Sequence, residues 1–164
     1  MSSFDKEALT ELRLHKIGFI FQSYNLIPVL SAAENIEFIL RLMNVPEKER
    51  RERSYQSLKS VGLEGMEERR PSYLSGGQQQ RVAVARALVS RPAIVLADEP
   101  SANLDSRTTE DLITLMERLN SESGVTFLIS THDQRVIARS HRHIEMTDGR
   151  ITADKYKGNH EIVA

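Results

Sequence analysis

The chain has 164 residues, 40% of them hydrophobic and 27% charged, with a formal net charge of -1 and no cysteine. That length fits one domain with a sizeable core; the missing cysteines exclude disulfides, thiol nucleophiles and thiolate metal sites, and the charge balance gives no basic footprint for nucleic acid over the chain as a whole. The longest apolar runs, such as Ile94 to Ala97 and Val125 to Ile129, are far shorter than a bilayer helix, and Met1-Ser2-Ser3-Phe4-Asp5-Lys6 lacks the apolar stretch of a secretion signal, so the expected compartment is the cytosol.

Residues 5 to 15 read as a short charged helix or loop, followed by Lys16-Ile17-Gly18-Phe19-Ile20-Phe21-Gln22, an apolar run expected to form a buried strand. Gln22 to Pro28 is a loop by composition, with Pro28 turning Ile27 away from helical geometry, and Gln22 alone reads as the strand's polar end. Ser31 and Glu34 stand at capping-box spacing, and Ile36, Ile39, Leu40 and Met43 recur on one helical face until Pro46 closes the segment. Glu47 to Ser60 is a charged helix with Tyr55, Leu58 and Val61 inward and Gly62 as its stop. Its Arg50-Arg51-Glu52-Arg53 cluster reads as a solvated face, because acidic residues interleave.

Tyr73 to Arg81 reads as a loop that becomes a helix. Gly76 and Gly77 leave the backbone free of side-chain bulk and able to reach φ > 0, and Ser75 adds a hydroxyl. Good helix formers follow Gln78, and a helix's first turn presents unpaired N–H donors and the positive end of its macrodipole. That outlines an anion site, while a glycine pair by itself also fits a surface turn before a core helix. The helix runs to Ser90 with Val82, Ala85, Leu88 and Val89 on one side and ends before Pro92.

Ala93 to Ala97 suits a strand covered on both faces, ending in Asp98-Glu99-Pro100. Ser101 to Asp105 is a loop, and Asp105 or Ser106 caps a helix carrying Leu112, Leu115, Met116 and Leu119 as one stripe. Val125 to Ser130 is a further buried strand ending in Thr131-His132-Asp133. His143 to Thr147 pairs with Arg150 to Ala153 across Asp148-Gly149, a dipeptide suited to two-residue hairpin turns. His141 and His143 lack nearby further ligands and read as surface or strand histidines.

Alternating strands and helices argue for an α/β fold with a mainly parallel sheet, whose ligand crevice lies outside the carboxyl ends of the strands. Gln22, the pair Asp98 and Glu99, and His132 all fall at such ends. Neighbouring residues leaving a strand point to different sides, so Asp98 and Glu99 suit different tasks, one holding Mg2+ and the other orienting water. Taken alone, Asp-Glu-Pro also fits a strand-end turn, and a lone histidine a structural role.

Leu74-Ser75-Gly76-Gly77-Gln78 resembles the signature motif of ATP-binding cassette (ABC) ATPases, and Ile94 to Asp98 with Glu99 resembles their Walker B strand and catalytic glutamate. Gln22 sits where that family has its Q-loop, Ser101 to Asp105 resembles the D-loop, and His132 the switch histidine. Order and spacing match across essentially the whole chain. The flanking stretches Gly18 to Leu26 and Met146 to Ile151 are similar to the branch serving lipoprotein-releasing and macrolide-exporting systems. Chromosome-maintenance ATPases share some motifs but insert a long coiled coil, whereas 51 residues separate Gln22 from Leu74 here, favouring a transporter.

The resemblance implies a P-loop NTPase-like core with a helical signature subdomain at about residues 31–90 and the catalytic α/β part in 1–30 and 91–164. It implies ATP and Mg2+, with Asp98 and Gln22 at the metal, Glu99 as base for water, His132 at the γ-phosphate, and Ser75, Gly76, Gly77, Gln78 and Asp105 at the nucleotide. It also implies a second ABC ATPase subunit, membrane permease subunits that set the cargo, and a place on the inner face of the cell membrane.

One departure is large. A P-loop needs Gly-x-x-x-x-Gly-Lys-Ser/Thr, yet none of the eight glycines is followed by lysine and only 21 residues precede Gln22. The expectation is therefore a single partial cassette, incomplete at its N-terminus, whose sheet lacks a central strand and exposes apolar surface. Two readings follow: the C-terminal part of a transporter ATPase that couples ATP hydrolysis to export or extraction, or a short non-catalytic partner that donates its signature loop to a complete ATPase.

Overall fold

The computed structural model describes residues 5–157; residues 1–4 and 158–164, the ends of the single domain expected from the sequence, lie outside the described residues. The chain divides after Ser130 into two compact units. In the first, α1 (Lys6–Lys16) leads into β1 (Ile17–Ile20), followed by α2 (Ala32–Leu42), α3 (Glu47–Ser60), a 3-10 turn at Pro71–Tyr73, α4 (Gly76–Leu88), β2 (Ile94–Asp98), α5 (Ser106–Ser123) and β3 (Thr126–Ser130).

The strands form a parallel sheet in the order β1-β2-β3, with Phe19 beside Leu96 and Leu96 beside Leu128. Parallel neighbours need helical crossovers, and α2 to α4 supply one while α5 supplies the other. The first strand is shorter than the run Lys16 to Gln22 suggests. Its backbone leaves the ladder after Ile20, where the Tyr24 N–H donates to the Phe21 carbonyl at 3.1 Å and closes a turn.

Helix α4 is the centre of the first unit. Gln80, Val82, Ala83, Val84, Ala85 and Ala87 are all buried, so the one-sided stripe expected from Val82, Ala85, Leu88 and Val89 understates it. Four elements, α2, α3, β1 and α5, pack around this helix. Its small residues permit that crowding. A Cβ on Gly18 would stand 2.4 Å from the Ala87 carbonyl oxygen, so β1 reaches α4 only because the strand carries glycine there.

The other helices follow their sequence signals. Ser31 and Glu34 form the reciprocal capping box, with the Ser31 N–H donating to Glu34 Oε2 at 2.7 Å and the Glu34 N–H to Ser31 Oγ at 3.2 Å. Ile36 and Leu40 are fully buried, and Leu58 and Val61 meet them from α3. Along α5 the stripe Leu112, Leu115, Met116 and Leu119 is buried, and Gly124 ends the helix with φ at 69°.

One expectation is corrected. β2 is not covered on both faces: Val95 and Ala97 are buried, whereas Ile94 and Leu96 are half-buried on the opposite face. Their register neighbours on that face are open too, Phe19 at 39% and Leu128 at 55% exposure. Helix α4 contacts β1 and helix α5 contacts β3, and Phe19, Leu96 and Leu128 line an apolar strip on the other face.

The second unit contains α6 (Gln134–Arg139) and a hairpin of β4 (Arg142–Thr147) with β5 (Arg150–Tyr156). Asp148 and Gly149 have φ of 50° and 74°, the pair of positive values that a two-residue hairpin turn requires. The second strand is longer than Arg150 to Ala153, because Arg142 faces Tyr156 and grips Asp154 with two bonds of 2.9 and 2.6 Å.

Candidate functional site

The carboxyl ends of β1 and β2 and the start of α4 place most of the singled-out residues within the first unit. Asp98 is the last residue of β2 and is exposed; Ser130, its register partner on β3, donates its hydroxyl to Asp98 Oδ1 at 2.9 Å. Oδ2 carries no hydrogen bond among the described residues. An exposed carboxylate with one oxygen available suits a hard cation. Among the described residues no group of three or more His, Cys, Asp or Glu is arranged for a metal.

Glu99 follows with φ at 43°, the left-handed region that non-glycine residues seldom enter. Its N–H donates to the Ser130 carbonyl at 2.9 Å and its carbonyl accepts from the Ala102 N–H at 3.2 Å. The backbone thus turns sharply after Asp98.

Gln22 is exposed in the turn after β1. Its carbonyl accepts from Asn103 Nδ2 at 2.9 Å, which ties the turn to the loop leading from Glu99 to Asp105. Asp105 caps α5: its Oδ1 accepts from the Thr108 N–H at 3.0 Å and its Oδ2 from the Thr108 hydroxyl at 2.7 Å. Those bonds, the backbone one first, hold its carboxyl below the usual aspartate range.

The signature stretch differs in detail from its reading as a loop. The helix begins at Gly76 itself, and neither Gly76 nor Gly77 has a positive φ. Ser75 and Gln78 form a second capping box, with the Ser75 N–H donating to Gln78 Oε1 at 2.9 Å and the Gln78 N–H to Ser75 Oγ at 3.3 Å. The glycines are there for proximity. A Cβ on Gly77 would stand 2.4 Å from Thr108 Cγ2, and one on Gly76 would stand 3.1 Å from the Tyr24 hydroxyl. First-turn N–H groups of a helix lack intrahelical partners and favour anions, and here the helix start is packed against both the Gln22 turn and the cap of α5.

His132 belongs to the second unit, two residues past the end of β3 in sequence and exposed. Asp133 beside it caps α6 and chelates Arg135, with Arg135 Nη2 at 2.6 Å from Oδ2. That bond, ahead of other causes, holds Asp133 below the usual aspartate range. Composition and spacing do not single out Asn103, Thr108, Ser130 or Arg86, whose contributions arise from contacts between distant parts of the chain.

Residues 3–102 match the family described as ABC transporter. The chain is 44% identical over 149 residues to the ABC transporter ATP-binding protein YtrE of Bacillus subtilis (strain 168), an alignment covering 91% of this chain and 64% of that protein. The dimeric structure of MJ0796, a bacterial ABC transporter cassette, superposes with a TM-score of 0.81 at 43% identity, covering 93% of this chain and 68% of that one. CbiO1 from Clostridium perfringens, part of the ABC transporter complex cbiONQ, gives a TM-score of 0.85 at 30% identity, covering 94% of this chain and 62% of that one. The chain thus spans somewhat under two thirds of the curated relative it matches, and its sequence, its parallel sheet and its α4 start agree with one assignment: it belongs to the ABC transporter family.

Proposed function

We propose that this chain is part of an ABC transporter ATP-binding subunit that hydrolyses ATP to ADP and phosphate and couples the reaction to export or extraction by membrane permease subunits. The observation that carries this reading is the meeting of Gln22, Asp98, Glu99, the Asp105 cap and the Gly76–Gly77 helix start within one unit at the carboxyl ends of parallel strands. Supporting it, one solved relative is described as a dimeric cassette in a post-hydrolysis state bound to ADP and Pi.

In this reading Asp98 and Gln22 hold Mg2+, which when bound neutralises charge on the phosphate oxygens. Glu99 accepts a proton from the attacking water. Ser75, Gly76, Gly77 and Gln78 present the start of α4 to the γ-phosphate of ATP carried by a second ATPase subunit. His132 donates a hydrogen bond to a γ-phosphate, and Asp105 contributes to the nucleotide site. The helical stretch 31–90 faces the permease, which places the protein on the inner side of the cell membrane. Among the described residues no helix is long and apolar enough to cross a membrane; in this reading attachment to the membrane is through permease subunits.

The test is ATP turnover by the full-length protein assembled with its partner subunits. Glu99→Gln is expected to lower kcat at least 100-fold, on the order of what proton-transfer groups contribute, while ATP binding persists. A Glu99→Gln protein that turns over at the unsubstituted rate removes the proposal.

A further inference from the structure

The turn after Gln22 carries a feature that the ATPase reading does not use. Tyr24 and Asn25 are consecutive non-glycine residues in the left-handed region, with φ of 61° and 48°. Non-glycine residues in that region are strained unless their surroundings hold them. Local bonds supply part of the hold: the Asn25 N–H donates to the Ser23 carbonyl at 2.7 Å, and Ser23 Oγ lies 3.1 Å from Asn25 Oδ1.

The rest comes from α4. Arg86 Nη2 donates to the Tyr24 carbonyl at 2.7 Å and Arg86 Nη1 to the Asn25 carbonyl at 2.5 Å, across 62 and 61 residues of sequence. A planar guanidinium offers two parallel donors, and two consecutive carbonyls pointing the same way match that fork. Burial lowers the Arg86 pKa below the ordinary arginine value, and an arginine in a protein remains charged. Arg86 is half-buried; its bond to the Tyr24 carbonyl is partly buried and its bond to the Asn25 carbonyl is exposed, and both are charge-assisted. Ten residues earlier on the same helix, Gly76 leaves room for the Tyr24 hydroxyl, since a Cβ there would stand 3.1 Å from it. The turn is fastened along α4 at both places, and its first residue, Gln22, is fastened to Asn103.

We propose that Arg86 is a positioning residue: by holding the Tyr24 and Asn25 carbonyls it keeps the turn left-handed and sets where Gln22 stands relative to α4 and the Asp98-Glu99 corner. It acts through the Tyr24 and Asn25 carbonyls that it binds. Only the consequence for turnover rests on the ATPase reading; the clamp itself does not.

The experiment has two arms on the full-length protein. In the first, amide hydrogen exchange is followed in Arg86→Met and in Arg86→Lys, which keeps the charge but reaches a single carbonyl and guards against a Met variant that fails to fold. Exchange at Tyr24 and Asn25 is expected to rise at least tenfold in Arg86→Met and by less in Arg86→Lys, with the Ala32 and Gln79 amides unchanged. Unchanged exchange at Tyr24 and Asn25, or a rise shared equally by Ala32 and Gln79, overturns the clamp. In the second arm, with partner subunits assembled, kcat is expected to fall at least tenfold in Arg86→Met while ATP affinity stays within twofold and Arg86→Lys recovers part of the loss. An unaltered kcat, or a fall that tracks lost ATP affinity, overturns the positioning of Gln22. Absence of turnover in the unsubstituted assembly defeats the ATPase reading instead, and the exchange arm still decides the clamp.

Discussion

Gly77 shows how one hydrogen in place of a methyl decides an interface. Its missing Cβ is the space that Thr108 Cγ2 fills, and Thr108 cannot rotate freely because its hydroxyl donates to Asp105 Oδ2 at 2.7 Å. Relief of a Gly77→Ala clash therefore breaks either the packing of α4 on α5 or the Asp105 cap. Overpacking of this kind costs about 1–3 kcal/mol, to be read as a lower urea midpoint at constant m-value. Thr108→Ser removes Cγ2 and keeps the hydroxyl, so the double variant is expected to recover most of the loss. Strictly additive losses in the two single variants would show that the Gly77–Thr108 approach does not carry the effect.

At the scale of elements, caps decide where helices begin. The sequence shows Ser31 and Glu34 at capping spacing, but Ser75 and Gln78 stand at the same spacing and read as part of a loop, because two glycines between them suggest a turn. Gly77 is there for a contact with Thr108, 31 residues away, and Gly76 for one with the Tyr24 hydroxyl, and the local sequence announces neither. Apolar periodicity, by contrast, made α2 and α5 legible nearly residue by residue. The cap of α5 also titrates. Hydrogen bonds from Thr108 depress the Asp105 pKa in the folded chain, so its stabilisation is fully present above the unfolded value, about 3.9, and is lost as pH falls through the lower folded value. Asn caps a helix comparably without titrating. Between pH 5 and pH 2 the urea midpoint of Asp105→Asn is expected to fall less steeply than that of the unsubstituted protein, and identical acid slopes would exclude a contribution from this cap.

At the scale of the whole molecule, the buried core cluster among the described residues lies on one side of the first unit's sheet. A continuous apolar run such as Ala93 to Ala97 records that a strand tolerates apolar surroundings on both faces, yet it cannot say what lies opposite, and parallel sheets are normally covered twice. In this chain Leu40, on α2, is fully buried within the cluster that joins α2, α3, α4 and the covered sheet face, whereas Leu128, on the open face of β3, keeps 55% of its surface exposed. The same chemical change should therefore have unequal effects. Leu40→Ala removes buried methyl groups and leaves a cavity, which costs about 2–5 kcal/mol. Leu128→Ala removes atoms already half in water and is expected to stay within about 0.5 kcal/mol, as surface substitutions do. Chemical denaturation of the 164-residue chain separates the two cases. Equal destabilisation by both would mean that the face of Phe19, Leu96 and Leu128 is covered in solution, and that the open side of the sheet is not an intrinsic property of this chain.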